Sequence, residues 1–321
     1  MGYLLYGGSE ERLGTDRLAE LRRVAAPLQV LVTEDEALMR ERAVDIDIAA
    51  ARIPVGFLES TPGIKWYHHW FAGVEHLAHI PHFHDGSTVV TNASGVHAEP
   101  MAEQFFGMLL SFARRLHVHF QNQPRHEWSK NRMDDVFELD GMSMLVVGMG
   151  AVGRRIAELG LAFRMQVEAI RRTAVDDIVP VHAIDALGDL LPRFDVVVCI
   201  LPLTAQTHRI FGRREFDLMK PTAIFSNFGR GKQVDQAALV DALSAADPAR
   251  RIGGALLDVT DPEPLPKDSP LWTAPNALIA PHVGGFTPRY TERAWPTFIE
   301  NLGRYHRGEP MLNLIDFELG Y

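Results

Sequence analysis

Cysteine is nearly missing from this chain, with Cys199 the only one among 321 residues. One thiol forms no intrachain disulfide, and nothing here points to an oxidising compartment. It lies in the apolar run Val196-Val197-Val198-Cys199-Ile200, which favours a small buried hydrophobe over a reactive thiol. Long hydrophobic runs are missing too, since none approaches the roughly 18 residues that span a bilayer. Met1 to Glu10 carries no basic leader followed by an apolar stretch, so no secretory signal is expected. Positive charge is in deficit: the formal net charge is −9 and the pI about 5.9, which argues against a nucleic-acid-binding face. Repeats and low-complexity tracts are absent. The expectation is a cytoplasmic protein with neither a nucleic-acid nor a membrane partner.

What is present is ordinary globular material, 46% hydrophobic and 23% charged, in a length that suggests two domains. Through residue 97 short apolar runs alternate with helix-compatible stretches. Gly2 to Tyr6, Gln29 to Val32, Val55 to Leu58, Ile64 to His68 and Thr88 to Thr91 read as strands, and Asp16 to Val24 as a helix. Met101 to Val118 carries Phe105, Met108, Leu109, Phe112 and Leu116 at helical spacing and reads as one long helix. After an Asp140-Gly141 turn, strands are expected at Met144 to Val147, Val167 to Ile170, Val196 to Leu201, Ala223 to Phe225, Ile252 to Leu257 and Ala277 to Ala280. Helical segments lie between them, which implies βαβ units and a mostly parallel sheet with helices on both faces. The tail from Pro288 begins with a helix expected to return to the first domain.

Gly148-Met149-Gly150-Ala151-Val152-Gly153 has the GxGxxG spacing, follows a strand and opens a helix, Ala151 to Phe163. Gly148 allows the tight turn, Gly150 lets a pyrophosphate approach the backbone, and Gly153 allows helix and strand to pack closely. The helix N-terminus adds free N–H groups and a positive dipole. A glycine-rich turn without a ligand is the competing reading. The next strand ends in Arg171-Arg172-Thr173, where a carboxylate would bind the ribose hydroxyls of NAD and repel a 2′-phosphate. Arginines instead fork onto a 2′-phosphate, so NADP(H) is the expected cofactor, with NAD(H) possible. The bland alternative is a solvated arginine pair. Asp176 and Asp177 read as loop residues.

Hydride transfer to a 2-oxo acid needs a carboxylate anchor, a carbonyl-polarising group and a proton donor. Arg230, directly after a strand, offers a fork for carboxylate and carbonyl oxygen. His282, in Pro281-His282-Val283-Gly284-Gly285, suits a general acid. Glu263, in Asp261-Pro262-Glu263-Pro264, would orient that ring and raise its pKa. Each taken alone has a bland reading as a surface ion pair or loop histidine. All three follow strands, at the sheet edge where open α/β folds bind ligands.

Along most of its length the chain resembles the D-2-hydroxyacid dehydrogenase family, in its NADPH-preferring glyoxylate/hydroxypyruvate reductase-like branch. The resemblance rests on Phe71 to His76, Thr91 to Val96, the glycine loop, Leu201 to Thr204, Asn227 to Gly231, Leu257 to Pro264, Pro281 to Gly285 and Asn301 to Tyr305. It implies Arg230, Glu263 and His282 as the catalytic residues, and the Ala72-Gly73-Val74 backbone as the substrate-carboxylate turn. The implied cofactor set is Gly148, Met149, Gly150, Ala151, Val152, Gly153, Arg171, Arg172, Leu201, Pro202, Thr207, Asp258 and Gly285, with Asp258 near the nicotinamide amide. The implied fold is a Rossmann-type doubly wound parallel sheet at 98–287, plus a smaller flavodoxin-like α/β substrate domain from both chain ends, 1–97 and 288–321. Substrate is expected in a cleft between the domains, and homodimerisation through the cofactor domain. The implied reaction interconverts a 2-keto acid, of glyoxylate/hydroxypyruvate type or bulkier, and its D-2-hydroxy acid.

The chain departs from the family pattern at Gly229, where alanine is usual and the exchange is expected to loosen the turn, and at Ala245 to Arg250, which reads as a small surface insertion. His68 and His69 match no general feature of the family. The crowd of His68, His69, His76, His79, His82 and His84 invites a metal reading. However, His76-x-x-His79-x-x-His82 does not keep one helical face and Pro81 interrupts it, so no metal is expected. His117, His119 and Trp128 read as packing or dimer contacts. The R group of the substrate would be read by side chains around Pro54 to Leu58, His68 to Phe71 and Ser94 to His97, with Trp295 a further candidate. A phosphite- or formate-type dehydrogenase and a cofactor-sensing corepressor on the same fold are the rival functions.

Overall fold

The structure is a computed structural model describing residues 2–175 and 177–318. Asp176, read from sequence as a loop residue, and the end of the expected substrate domain at Tyr321 lie outside the described residues. The chain divides into two compact units, one formed by 1–96 with 288–321 and the other by 97–287. His97, grouped with the chain ends by the sequence reading, belongs to the second.

In the first unit β1 (Tyr3–Gly7), α1 (Thr15–Ala25), β2 (Gln29–Thr33), β3 (Ile46–Ala51), α2 (Val55–Glu59), β4 (Trp66–His69) and β5 (Val89–Asn92) follow in order. The sheet is parallel with strand order β2-β1-β3-β4-β5, the flavodoxin-like arrangement. Side chains alternate along each strand, so Leu4, Ile48 and Trp66 enter one core while Leu5, Ala49 and Tyr67 enter the other. The helix Tyr290–Arg307 sets Ala294, Trp295, Phe298 and Leu302 on one stripe, in the core that also holds Leu18, Leu21 and Ala25 of α1. The tail therefore completes this unit.

The second unit contains α3 (Ala98–Ala113), α4 (Leu116–Asn122), β6 (Ser143–Val147), α5 (Ala151–Ala162), β7 (Gln166–Arg171), β8 (Val181–Ala183), β9 (Val196–Cys199), β10 (Ile224–Asn227), β11 (Gly254–Leu257) and β12 (Ala277–Ile279). Its sheet is parallel, in the order β12-β11-β10-β9-β6-β7-β8. Direction of propagation reverses between β6 and β9, which makes their carboxyl ends the switch point of a Rossmann-type sheet. Both faces are covered, so the strands are almost wholly apolar. Leu145, Val147, Val197, Cys199 and Phe225 enter one core, and Met144, Val146, Val196, Val198 and Ile224 the other. Cys199 is fully buried, and burial pushes its thiol up to about 12, which leaves it unreactive. Among the described residues no helix is long and apolar enough to cross a membrane.

Several elements differ from expectation for identifiable reasons. Val55 to Leu58 is not a strand but the one-turn helix α2, started by Pro54 and burying Phe57 and Leu58. The strand at that point in the order is β3, whose sequence Ile46-Asp47-Ile48-Ala49-Ala50-Ala51 ends in three strong helix formers, yet lies buried between β1 and β4. The single helix expected over Met101 to Val118 breaks at Arg115, which takes a left-handed φ of 53°. No glycine or proline announces that break. Just beyond it, the His117 ring stacks on Phe112, 5.7 Å between centroids and 7° apart in plane.

Candidate active site

The second unit carries the glycine loop at its switch point. Gly148 adopts φ 121°, and a Cβ there would lie 2.6 Å from the Ile200 carbonyl oxygen, so only glycine lets the loop pass the end of β9. A Cβ on Gly153 would stand 1.9 Å from the Gly148 carbonyl oxygen, which explains the tight seating of α5 on β6. Gly150 caps α5 in extended conformation and faces open space. The helical ladder starts at Arg154 N to Gly150 O, 2.8 Å, leaving the N–H groups of Ala151, Val152 and Gly153 without acceptors among the described residues. An open backbone with free donors at the positive end of a twelve-residue helix fits a dinucleotide pyrophosphate.

Arg171 ends β7 and Arg172 follows it, both exposed. The carboxylate nearby in sequence, Asp177, is ion-paired with Arg154 on the first turn of α5. The strand tip thus carries two exposed arginines, and Asp177 is paired with the helix rather than with Arg171.

Past β9, Leu201 and Pro202 offer their carbonyl oxygens to Gln233 Nε2 at 2.9 and 3.0 Å. The Thr207 hydroxyl donates to Pro202 O at 2.6 Å and accepts from Thr204 N at 2.8 Å. Thr207 therefore shapes this loop from within. The buried Gln233 also accepts from Arg230 N through Oε1, 2.8 Å. A Cβ on Gly229 would lie 2.2 Å from that Oε1 and 2.9 Å from Leu201 O. The turn before Arg230 is thus not loosened by glycine, which instead makes room for the amide that pins it. Asn227 fastens the same turn, Nδ2 donating to Arg230 O and Oδ1 accepting from Gly229 N, both at 3.0 Å.

Glu263 and His282 come together. Oε2 accepts from His282 Nδ1 at 2.8 Å, while Oε1 accepts from Thr260 N at 3.0 Å. A carboxylate on Nδ1 places the donor hydrogen there, and the ring then presents Nε2 on its opposite side. His282 takes φ 54°, held by its N–H to Asp258 O at 2.7 Å. The buried Asp258 side chain accepts from Val283 N and Gly284 N at 3.0–3.1 Å and from Gln104 Nε2 at 2.6 Å. It is the bracket that ties the histidine loop to α3, a role that its sequence assignment near the nicotinamide did not include.

His97, at the N-terminus of α3, was singled out in sequence only as one end of a candidate lining segment. Its ring lies over Gly285, where a Cβ would stand 2.7 Å from His97 Cδ2. Burial lowers its pKa, and the charges of Arg230 and His282 lower it further. Three basic side chains from α3, the β10 loop and the β12 loop therefore converge. The signal is purely tertiary, because no local pattern marks His97.

In the first unit the Ala72-Gly73-Val74 turn follows β4. Asn92 Nδ2 donates to Ala72 O at 2.7 Å, and Tyr290 Oη donates to Trp70 O. His68 and His69 are buried at the end of β4; His76, His79, His82 and His84 occupy the short turns beyond. Among the described residues no three His, Cys, Asp or Glu side chains are grouped to hold a metal.

Residues 106–284 match the family model described as "D-isomer specific 2-hydroxyacid dehydrogenase, NAD binding domain", more than half of the chain. A glyoxylate reductase of Aeropyrum pernix is 36% identical over 239 residues, covering 72% of this chain and 70% of that protein. A D-isomer specific 2-hydroxyacid dehydrogenase family protein of Aeromonas salmonicida has a similar structure, with TM-score 0.82 and 30% identity over 99% of this chain and 100% of that one. A D-isomer specific 2-hydroxyacid dehydrogenase of Xanthobacter autotrophicus, solved with NADPH and MES, gives TM-score 0.80 and 27% identity over 100% and 99%.

Proposed function

The chain belongs to the D-isomer specific 2-hydroxyacid dehydrogenase family, and from that premise we propose that it reduces a 2-oxo acid to the D-2-hydroxy acid, with NADPH preferred over NADH. As an NAD(P)-dependent oxidoreductase it uses a nicotinamide cofactor, which supplies the hydride when bound. The glycine loop and the first N–H groups of α5 hold the pyrophosphate in this reading. Arg171 and Arg172 take the 2′-phosphate, a reading supported by their exposure at the tip of β7 and by the pairing of Asp177 with Arg154. The NADPH bound by the Xanthobacter relative agrees with it.

The residues then divide the work. The Ala72-Gly73-Val74 amides anchor the substrate carboxylate, and the Arg230 guanidinium polarises the carbonyl. His282 holds the proton for the carbonyl oxygen on Nε2, while Glu263 fixes the ring through Nδ1 and balances its charge. Burial and the neighbouring Arg230 and His282 hold the His97 pKa down, which disfavours a third positive charge beside them. The carrying observation is the 2.8 Å Glu263–His282 contact, in the same unit as the glycine loop and close enough to Arg230 that both cations depress His97. Steady-state turnover of glyoxylate, hydroxypyruvate and bulkier 2-oxo acids with NADPH and with NADH tests this reading. A higher kcat/KM with NADH would overturn the cofactor preference.

A cytoplasmic homodimer completes the proposal. Leu116, Phe120, Trp128 and Met133, on and after α4, are apolar and exposed, with Trp128 at 93% and Met133 at 92%. Light scattering should give twice the 35.8 kDa chain mass.

A further inference from the structure

His69, which the sequence offered only within a candidate lining segment, ends β4 just before the turn assigned to the substrate carboxylate. Its side chain is buried at the end of β4, and Nδ1 lies 2.9 Å from Tyr67 Oη. Tyr67 Oη is also 3.3 Å from Ala51 O, so the shorter contact makes Nδ1 the better acceptor of the phenol proton. Burial, with His76 beside it, pushes the His69 pKa down to about 4, so at neutral pH the ring carries a single N–H. With Nδ1 accepting, that hydrogen is on Nε2, which is buried with no hydrogen-bond partner among the described residues. The Gly73 backbone acts on the ring in the direction that favours its protonated form, which requires an acceptor, its carbonyl oxygen.

Peptide geometry turns this into a positioning device. In a trans peptide C=O and N–H point in opposite directions. The Trp70 carbonyl is held by Tyr290 Oη and the Ala72 carbonyl by Asn92 Nδ2, so the N–H groups of Phe71 and Gly73 point away from those anchors. If His69 Nε2 engages the Gly73 carbonyl, the Val74 N–H points away from the ring. None of these three N–H groups meets an acceptor among the described residues. We propose that His69, oriented by Tyr67, is the positioning residue of the anion-binding turn, and that its Nε2–H closes onto the Gly73 carbonyl when a carboxylate engages the turn's amides. This rests on the functional reading above and adds the side chain that gives this backbone its carboxylate affinity.

The test compares His69→Gln, His69→Asn and His69→Leu. Glutamine sets its amide nitrogen near the place of Nε2, asparagine near that of Nδ1, and leucine removes both. KM and kcat are measured with the best 2-oxo acid and NADPH, and oxalate is titrated into the NADP⁺-loaded protein by intrinsic fluorescence. His69→Asn and His69→Leu should raise KM and the oxalate Kd about tenfold. Their kcat and cofactor affinity should stay within about twofold of wild type, and His69→Gln should recover most of the loss. If His69→Leu does not fold, the Gln–Asn pair decides. Equal Gln and Asn variants, or kcat and cofactor affinity falling together with substrate affinity, would overturn the role. A wild-type protein that neither binds oxalate nor reduces a 2-oxo acid overturns the functional reading and this proposal with it. Normal wild-type behaviour with all variants unchanged overturns the His69 role alone.

Discussion

The two units assign chemistry to different parts of the chain. In the second, the reactivity proposed above belongs to side chains: a guanidinium, a carboxylate and an imidazole on loops after parallel strands, with Glu263 and His282 2.8 Å apart. In the first, the candidate anchor is a backbone turn whose Trp70 and Ala72 carbonyls are held by Tyr290 and Asn92, with the buried His69 proposed to position it. Side-chain chemistry can be read from residue type and spacing. Backbone chemistry is set by buried neighbours remote in sequence, so it is visible only in the fold or through a resemblance.

The sharpest way to break this contrast is to remove the proton donor of the second unit. His282→Ala should lower kcat by roughly 10²–10⁴-fold with NADPH affinity nearly unchanged, as single-turnover kinetics and cofactor titration would show. Unaltered turnover would remove the side-chain half of the comparison.

Acid should next separate the units. Burial holds His68 at about 3 and His69 at about 4, below the unfolded value of 6.5. Unfolding frees both rings to take up protons, so their contribution to stability is complete above pH 6.5 and is lost as pH falls from 6.5 towards 4 and then 3. Each ring costs roughly 1.4 kcal/mol per pH unit in that window. Thermal unfolding monitored between pH 7 and 5 through the buried Trp66, Trp70 and Trp295 should shift downward. A flat Tm over that range would contradict the neutral burial of both histidines.

Replacing both strand-tip arginines, Arg171→Ala with Arg172→Ala, should cost roughly 10–100-fold in kcat/KM with NADPH and little with NADH. Equal losses with both cofactors would mean a structural role. The smallest effect should come from Gly229→Ala, whose Cβ must displace Gln233 or the Leu201 carbonyl. About 1–3 kcal/mol of stability should be lost in urea unfolding, along with some kcat as Arg230 shifts. A neutral result would show that the Gln233 bracket yields freely.

The glycine loop, the β6–α5–β7 unit and the Arg230, Glu263 and His282 positions were legible because spacing, turn chemistry and resemblance agree there. Strand β3 was hidden because Ala49-Ala50-Ala51 has the local preference of a helix and becomes a strand only through burial between β1 and β4. The break at Arg115 has no local signature. Asp258 and Thr207 were expected as cofactor positions, but not as the brackets they form, because their partners Gln104, Val283, Gly284 and Pro202 are fixed by tertiary contacts. His69 was visible as an oddity, and its relation to Tyr67 and Gly73 needed the β4 geometry.

The most direct test of the central claim is the product formed by the wild-type enzyme from hydroxypyruvate and from bulkier 2-oxo acids with NADPH. The account predicts NADPH consumption and the D-2-hydroxy acid by chiral chromatography. No consumption with any 2-oxo acid, or the L-enantiomer as product, would contradict it.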